Sequence, residues 1–236
     1  MRSKWQQLVR RRARTTGFPT SSNRASSMHL HWDPSPPPAL EVAVTLEIVE
    51  PPVVPHLYFW ALQASFVTVE GHRLGGAHLG LQWYDRHPGS TAVNWGGYRD
   101  GAGELDGDVS ALPSATGNPN TRDFAWRARV PYRLRIHGDG DGWWTGSVTD
   151  LTTDETTVVR RLRGGGARLA APVMWSEVFA RCDDPSVVVR WSDPNPTVRA
   201  MHPTYQSHQD GGCANTASTR DGDAWLQTTN VARDQT

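Results

Sequence analysis

Between residues 58 and 98 the chain repeats one pattern three times. Aromatic-rich runs alternate apolar and polar residues: Tyr58 to Val67, then 75–84, then 91–98, each parted from the next by a glycine-rich or polar turn. Alternation at a period of two marks a strand with one face in a core and the other free to carry polar groups. The same reading extends along the chain. Residues 40–48 set Leu40, Val42, Val44, Leu46 and Ile48 against Glu41, Ala43, Thr45 and Glu47. Residues 131–137 place Tyr132, Leu134 and Ile136 on one side, and the Gly138–Gly142 turn reverses the chain into 143–150. Residues 156–162, 173–179 and 187–191 complete about ten short strands, and no segment carries a helical period. That succession predicts an all-β fold, an antiparallel jelly-roll or concanavalin A-like β-sandwich.

At 236 residues with 37% hydrophobic side chains, the chain has the material for one large sandwich. Eleven tryptophans supply large buried surfaces and flat stacking surfaces. The formal charge is zero, which argues against a nucleic-acid partner. No apolar run reaches membrane-spanning length. Without a hydrophobic stretch behind the basic start, the sequence as written reads as cytoplasmic. Residues 1–27 are basic, rich in Ser, Thr and Arg, and aperiodic, so they are expected to form a disordered tail. The single domain is then expected over 28–236 with an irregular C-terminal part, and Met28 is a candidate start. Residues 99–122 read as a long surface loop.

Strand parity sorts the chemistry. With Trp60, Leu62, Phe66, Leu79, Leu81 and Trp83 inward, Phe59, Gln63, His78, Gln82 and Tyr84 point to the opposite face. Asn94 and Trp95 are expected at the edge of that face, Trp95 as a stacking platform. Amides and an aromatic ring suit a hydroxyl-rich ligand; the alternative is a second small core closed by the same side chains. Glu177 is the candidate acid in a strand. No partner carboxylate of its parity is evident, and an ion pair with Arg181 or Arg190 is the competing expectation. The Asp139–Gly142 run lacks the ligands of a calcium loop, and His29 and His31 lack a third ligand, so no metal and no cofactor is expected. Hydrolase elbows, phosphate loops and dinucleotide fingerprints are missing from the sequence. The two cysteines, Cys182 and Cys213, are expected to lie within bridging distance, their oxidation depending on the compartment.

The aromatic strand at Tyr58, Phe59 and Trp60, the 75–82 strand and the Trp143–Trp144–Thr145–Gly146 strand carry a resemblance over about 58–192. This part resembles a bacterial family of unknown function. The resemblance implies a concanavalin A-like sandwich of a kind often found beside carbohydrate-binding modules. From Met28 onward the chain is similar to conserved actinobacterial proteins, in keeping with its arginine bias. Together these readings give a non-catalytic module for carbohydrate or another polyol. A glycan-acting hydrolase or lyase using Glu177, and an interaction module without a small ligand, are the alternatives.

Overall fold

A computed structural model describes residues 14–33, 35, 37–196, 200–204 and 211–231. Fifteen strands follow one another: β1 (Ser26–Asp33), β2 (Glu41–Glu50), β3 (Tyr58–Val67), β4 (Arg73–Trp83), β5 (Thr91–Arg99), β6 (Ala102–Glu104), β7 (Thr121–Asp123), β8 (Pro131–Gly140), β9 (Trp143–Asp150), β10 (Glu155–Arg163), β11 (Arg168–Val178), β12 (Val187–Asn195), β13 (Ala200–Thr204), β14 (Ala217–Asp221) and β15 (Ala224–Thr229). They form two antiparallel sheets. The eight-stranded sheet has the order β13-β1-β11-β3-β4-β5-β6, with β7 also on β5; the seven-stranded sheet runs β10-β9-β8-β2-β12-β15-β14. The fold is an antiparallel jelly-roll sandwich. No described helix is long and apolar enough to cross a membrane.

The core lies between the sheets and is built from the alternating residues. Val42, Val44, Leu46 and Ile48 of β2 meet Leu134 and Ile136 of β8 on one sheet; Trp60, Leu62, Phe66, Leu79 and Leu81 of β3 and β4 face them from the other. All eleven are at most 1% exposed. Trp83, at the strand end, is only partly buried and donates its indole N–H to the Val54 carbonyl.

Two boundaries differ from the sequence reading. Residues 14–27 belong to the fold rather than to a disordered tail. Arg14 bridges to Cys213, Cys182 donates its backbone N–H to Gly17, Thr20 donates to Gly211, and Ser26 already opens β1. Each of these partners lies more than 150 residues away in sequence, so no local period marks them. Residues 1–13 lie outside the described residues. The long 99–122 connection is likewise built into the sandwich. It carries β6, and its 106–108 part bonds the free edge of β10: Arg163 N–H to Asp106 O at 2.8 Å and Asp108 N–H to Arg161 O at 3.1 Å. The 106–108 exchange covers a sheet edge that would otherwise present unpaired backbone groups.

The two cysteines form a disulfide, their Cα atoms 5.2 Å apart. It ties the turn after β11 to the segment before β14.

Candidate functional site

The face of the eight-stranded sheet turned away from the core is organised in cross-strand rows. One row runs Glu177–Phe59–Gln82–Ala92 across β11, β3, β4 and β5; the next runs Trp175–Ala61–Gly80–Asn94; the third runs Val173–Gln63–His78–Gly96. Small residues occupy the middle of the second row. Gly80 is required there, since a Cβ would meet the Ala61 Cβ at 2.7 Å. The result is a closely packed row between Trp175 and Asn94, which are only 8% and 7% exposed, so the alternative of a second small core of Phe59, Ala61, Val173 and Trp175 is also met on this face.

Three rings pack beside these small residues, with Phe59 and Trp175 mostly covered. Phe59 and Trp175 meet edge to face at 4.8 Å between centroids, and His78 touches both, at 5.6 and 5.8 Å. Such edge-on contacts fix the rings against each other. The Trp175 indole N–H donates to Gln63 Oε1 at 3.2 Å, which orients that amide. Asn94 Nδ2 donates to Thr121 Oγ1 at 2.9 Å. Burial drives the His78 imidazole down to about 4, with the Asn94 side chain pulling weakly the other way. His78 is therefore neutral near neutral pH and acts as a hydrogen-bonding group rather than a cation.

Glu177 stands at the end of the first row. Its Oε1 accepts a hydrogen bond from Asn23 Nδ2 at 2.6 Å. Burial raises its carboxyl above the usual carboxylate range, and the Asn23 bond offsets part of this. The expected arginine partners are engaged elsewhere, Arg181 with Asp183 and Arg190 with Asp221. The nearest carboxylate in the same row is Asp123, which pairs with Ala92. Four strand steps separate it from Glu177, about 19 Å at the usual strand spacing. Paired-carboxylate glycoside hydrolysis needs about 5 to 9.5 Å.

Next to Trp175, three histidines stack on the sheet margin. His29 and His31 lie 6.1 Å apart, and His31 and His202 5.3 Å apart. Burial and the His31 charge hold His29 at about 4. Among the described residues no group of three His, Cys, Asp or Glu could hold a metal.

The structure thus brings Gln63, His78, Gln82, Asn94 and Glu177 onto one face, and separates two other expected residues from them. Trp95 is not a platform at the groove edge. It is fully buried between the sheets, its ring 2.7 Å from where a Gly146 Cβ would stand. A glycine on β9 leaves the space that the indole fills. Tyr84 lies past the end of β4, against His87 and Arg86 in the turn, and outside the ring cluster. The tryptophan on this face is Trp175 instead. Its parity with Glu177 was the available signal. Asn23 gave no such signal, being 154 residues from the carboxylate it binds.

No family model matches the chain, and no curated protein matches it. Solved structures show a distant likeness. Scytalido-glutamic peptidase with a transition-state analogue inhibitor has a TM-score of 0.44 at 9% identity, covering 90% of this chain and 97% of that one. SCP-B, a member of the Eqolisin family of peptidases bound to the tripeptide Ala-Ile-His, gives 0.45 at 8% identity with the same coverage. A beta-porphyranase from the human gut bacterium Bacteroides plebeius gives 0.26 at 7% identity, covering 80% and 62%. At such values the likeness bears on neither the site nor a reaction.

Proposed function

We propose that the protein is a non-catalytic module that binds a neutral polyhydroxylated ligand, a carbohydrate chain in the first instance, on the outer face of its eight-stranded sheet. One observation carries the reading. The Phe59–Trp175–His78 cluster packs among the amides of Gln63, Gln82 and Asn94, over the small residues Ala61 and Gly80. Rings offer apolar surface to the C–H face of a sugar, and amides offer directed donors and acceptors to its hydroxyls. A histidine held neutral adds one more such group without charge. The carboxylate sharing the Glu177 row, Asp123, lies about 19 Å away, too far for the pair that two-carboxylate hydrolysis needs, which favours binding over turnover.

Each stacked ring or net hydrogen bond contributes about 1 kcal/mol, so affinity is expected between millimolar and micromolar. Calorimetry against a panel of neutral oligosaccharides tests the reading. Trp175→Ala should abolish measurable binding, and Glu177→Gln should leave it within a few-fold of the parent. Silence across the panel would leave an interaction module.

A second reading rests on the raised Glu177 carboxyl, since burial favours its protonated, proton-donating form. In that case the protein is a glycan-acting hydrolase or lyase, and Glu177→Gln abolishes release of reducing ends. The native Cys182–Cys213 bridge supports an oxidising compartment over the cytoplasm.

A further inference from the structure

A second feature lies on the other side of β5, between the sheets. Arg122 of β7 pairs with Val93, and Val93 shares the inward parity of Trp95. Arg160 of β10 pairs with Gly146, the glycine that receives the Trp95 ring. Two arginines from opposite sheets and one indole therefore meet at one corner of the sandwich, beneath the 104–121 segment. Arg160 is only 5% exposed.

This corner holds donors without acceptors. Arg122 Nε, Arg160 Nε and Trp95 Nε1 are each buried with no hydrogen-bond partner. All three are N–H groups that can only donate. Arg160 does reach the Pro119 carbonyl through Nη1, at 3.0 Å. Among the described residues no carboxylate comes within ion-pair distance of either guanidinium. The nearby acids are committed: Asp108 to Arg161, Asp106 to Arg99, and Glu104 to the Asn120 amide. Burial, and then the Arg122 charge, push the Arg160 guanidinium below its ordinary range, while Asp108, Glu104 and Asp106 pull the other way without making an ion pair with it. An arginine does not shed its proton in a protein, so two facing guanidiniums with buried, unpaired Nε–H groups favour an acceptor that bonds both directly.

We propose that this corner binds a small inorganic oxyanion of the sulfate or phosphate class, held by Arg122, Arg160 and the Trp95 indole. The anion accepts the three orphaned N–H bonds and neutralises the facing guanidiniums. Arg122, less buried than Arg160, stands on the side from which it enters. Since Pro119 and Gly107 both pack on Arg160, the bound anion also fastens the 104–121 segment across the sandwich edge. This is independent of the ligand face, which lies on the opposite side of the same sheet.

The test is calorimetry of the intact protein with sodium sulfate and sodium phosphate, at constant ionic strength in chloride, beside urea unfolding. Saturable binding is expected, and a tenfold excess over Kd should raise the folded-to-unfolded ratio about elevenfold. Arg122→Gln should lose both effects. Arg122→Glu supplies a carboxylate to Arg160, so this variant should be more stable than the parent in anion-free buffer and indifferent to sulfate. General exclusion of sulfate from protein surfaces would stabilise all three proteins alike. That result, or no saturable binding by the parent, overturns the proposal.

Discussion

Replacing both cysteines by alanine isolates the contribution of the Cys182–Cys213 bridge. Both residues are buried, at 0% and 1% exposure, so alanine leaves no charged or strained group behind. The backbone around each is held by bonds the substitution does not touch. Cys182 N–H donates to Gly17 O at 2.8 Å, Cys213 N–H donates to Ser26 Oγ at 2.7 Å, and Asn215 Nδ2 donates to the Cys182 carbonyl at 2.9 Å. The native arrangement should therefore persist, and the main cost arises in the unfolded chain, which regains the freedom of the opened loop. The sequence separation is 31 residues. In the chain-entropy treatment such a loop is worth about 12 cal/mol/K, or about 3.7 kcal/mol at 25 °C. That is a large share of the 5 to 15 kcal/mol or so by which domains are stable. It corresponds to a fall in Tm of about 7 to 15 °C for a chain of this size. Urea unfolding followed by tryptophan fluorescence should show the midpoint falling by that free energy. A loss below about 1 kcal/mol would refute the reasoning, since the unfolded chain would then gain little from opening the loop.

Two other outcomes are expected. Trp95→Ala should cost about 3 to 5 kcal/mol in chemical denaturation, because the indole fills the space over Gly146, while glycan affinity stays unchanged; lost affinity without lost stability would return Trp95 to the ligand face. Stability should also depend on pH in two opposed ways. His29 and His78, held at about 4, stay neutral in the folded protein while their unfolded counterparts protonate near 6.5. Their contribution is complete above 6.5 and is lost as pH falls from there towards 4. Glu177 acts with the opposite sign: its raised carboxyl favours the folded state at low pH, and that gain disappears as pH rises through its elevated pKa. Urea midpoints measured across this range should fall on acidification, less steeply in His78→Gln. A midpoint that does not change with pH would contradict the burial of both histidines.

Strands such as β8 and β12 were legible because one face is wetter than the other. In β2, alternation of Val42, Val44, Leu46 and Ile48 with polar neighbours states both the strand and its buried side. Parity likewise placed Gln63, His78 and Gln82 on one face. It failed at β5, where residues 91–97 are all buried and glycines stand at 96 and 97, so the strand carries no contrast between its sides. The side of Trp95 is decided by a vacancy at Gly146, on another sheet. The role of residues 14–25 escaped for a similar reason: their partners are the cystine turn and the segment before β14, contacts between distant parts of the chain that leave no period. Glu177 was found by residue type, but its environment depends on Asn23 and on burial by neighbours that only the fold assembles.

Whether the outer face of the eight-stranded sheet binds a polyol is tested most directly by one titration series. A panel of neutral oligosaccharides is titrated into the parent protein, Trp175→Ala and Glu177→Gln, with reducing-end release assayed in the same mixtures. The account predicts binding between millimolar and micromolar for the parent, none for Trp175→Ala, nearly unchanged binding for Glu177→Gln, and no release by any of the three. Binding by Trp175→Ala equal to the parent, or release that stops with Glu177→Gln, would contradict it.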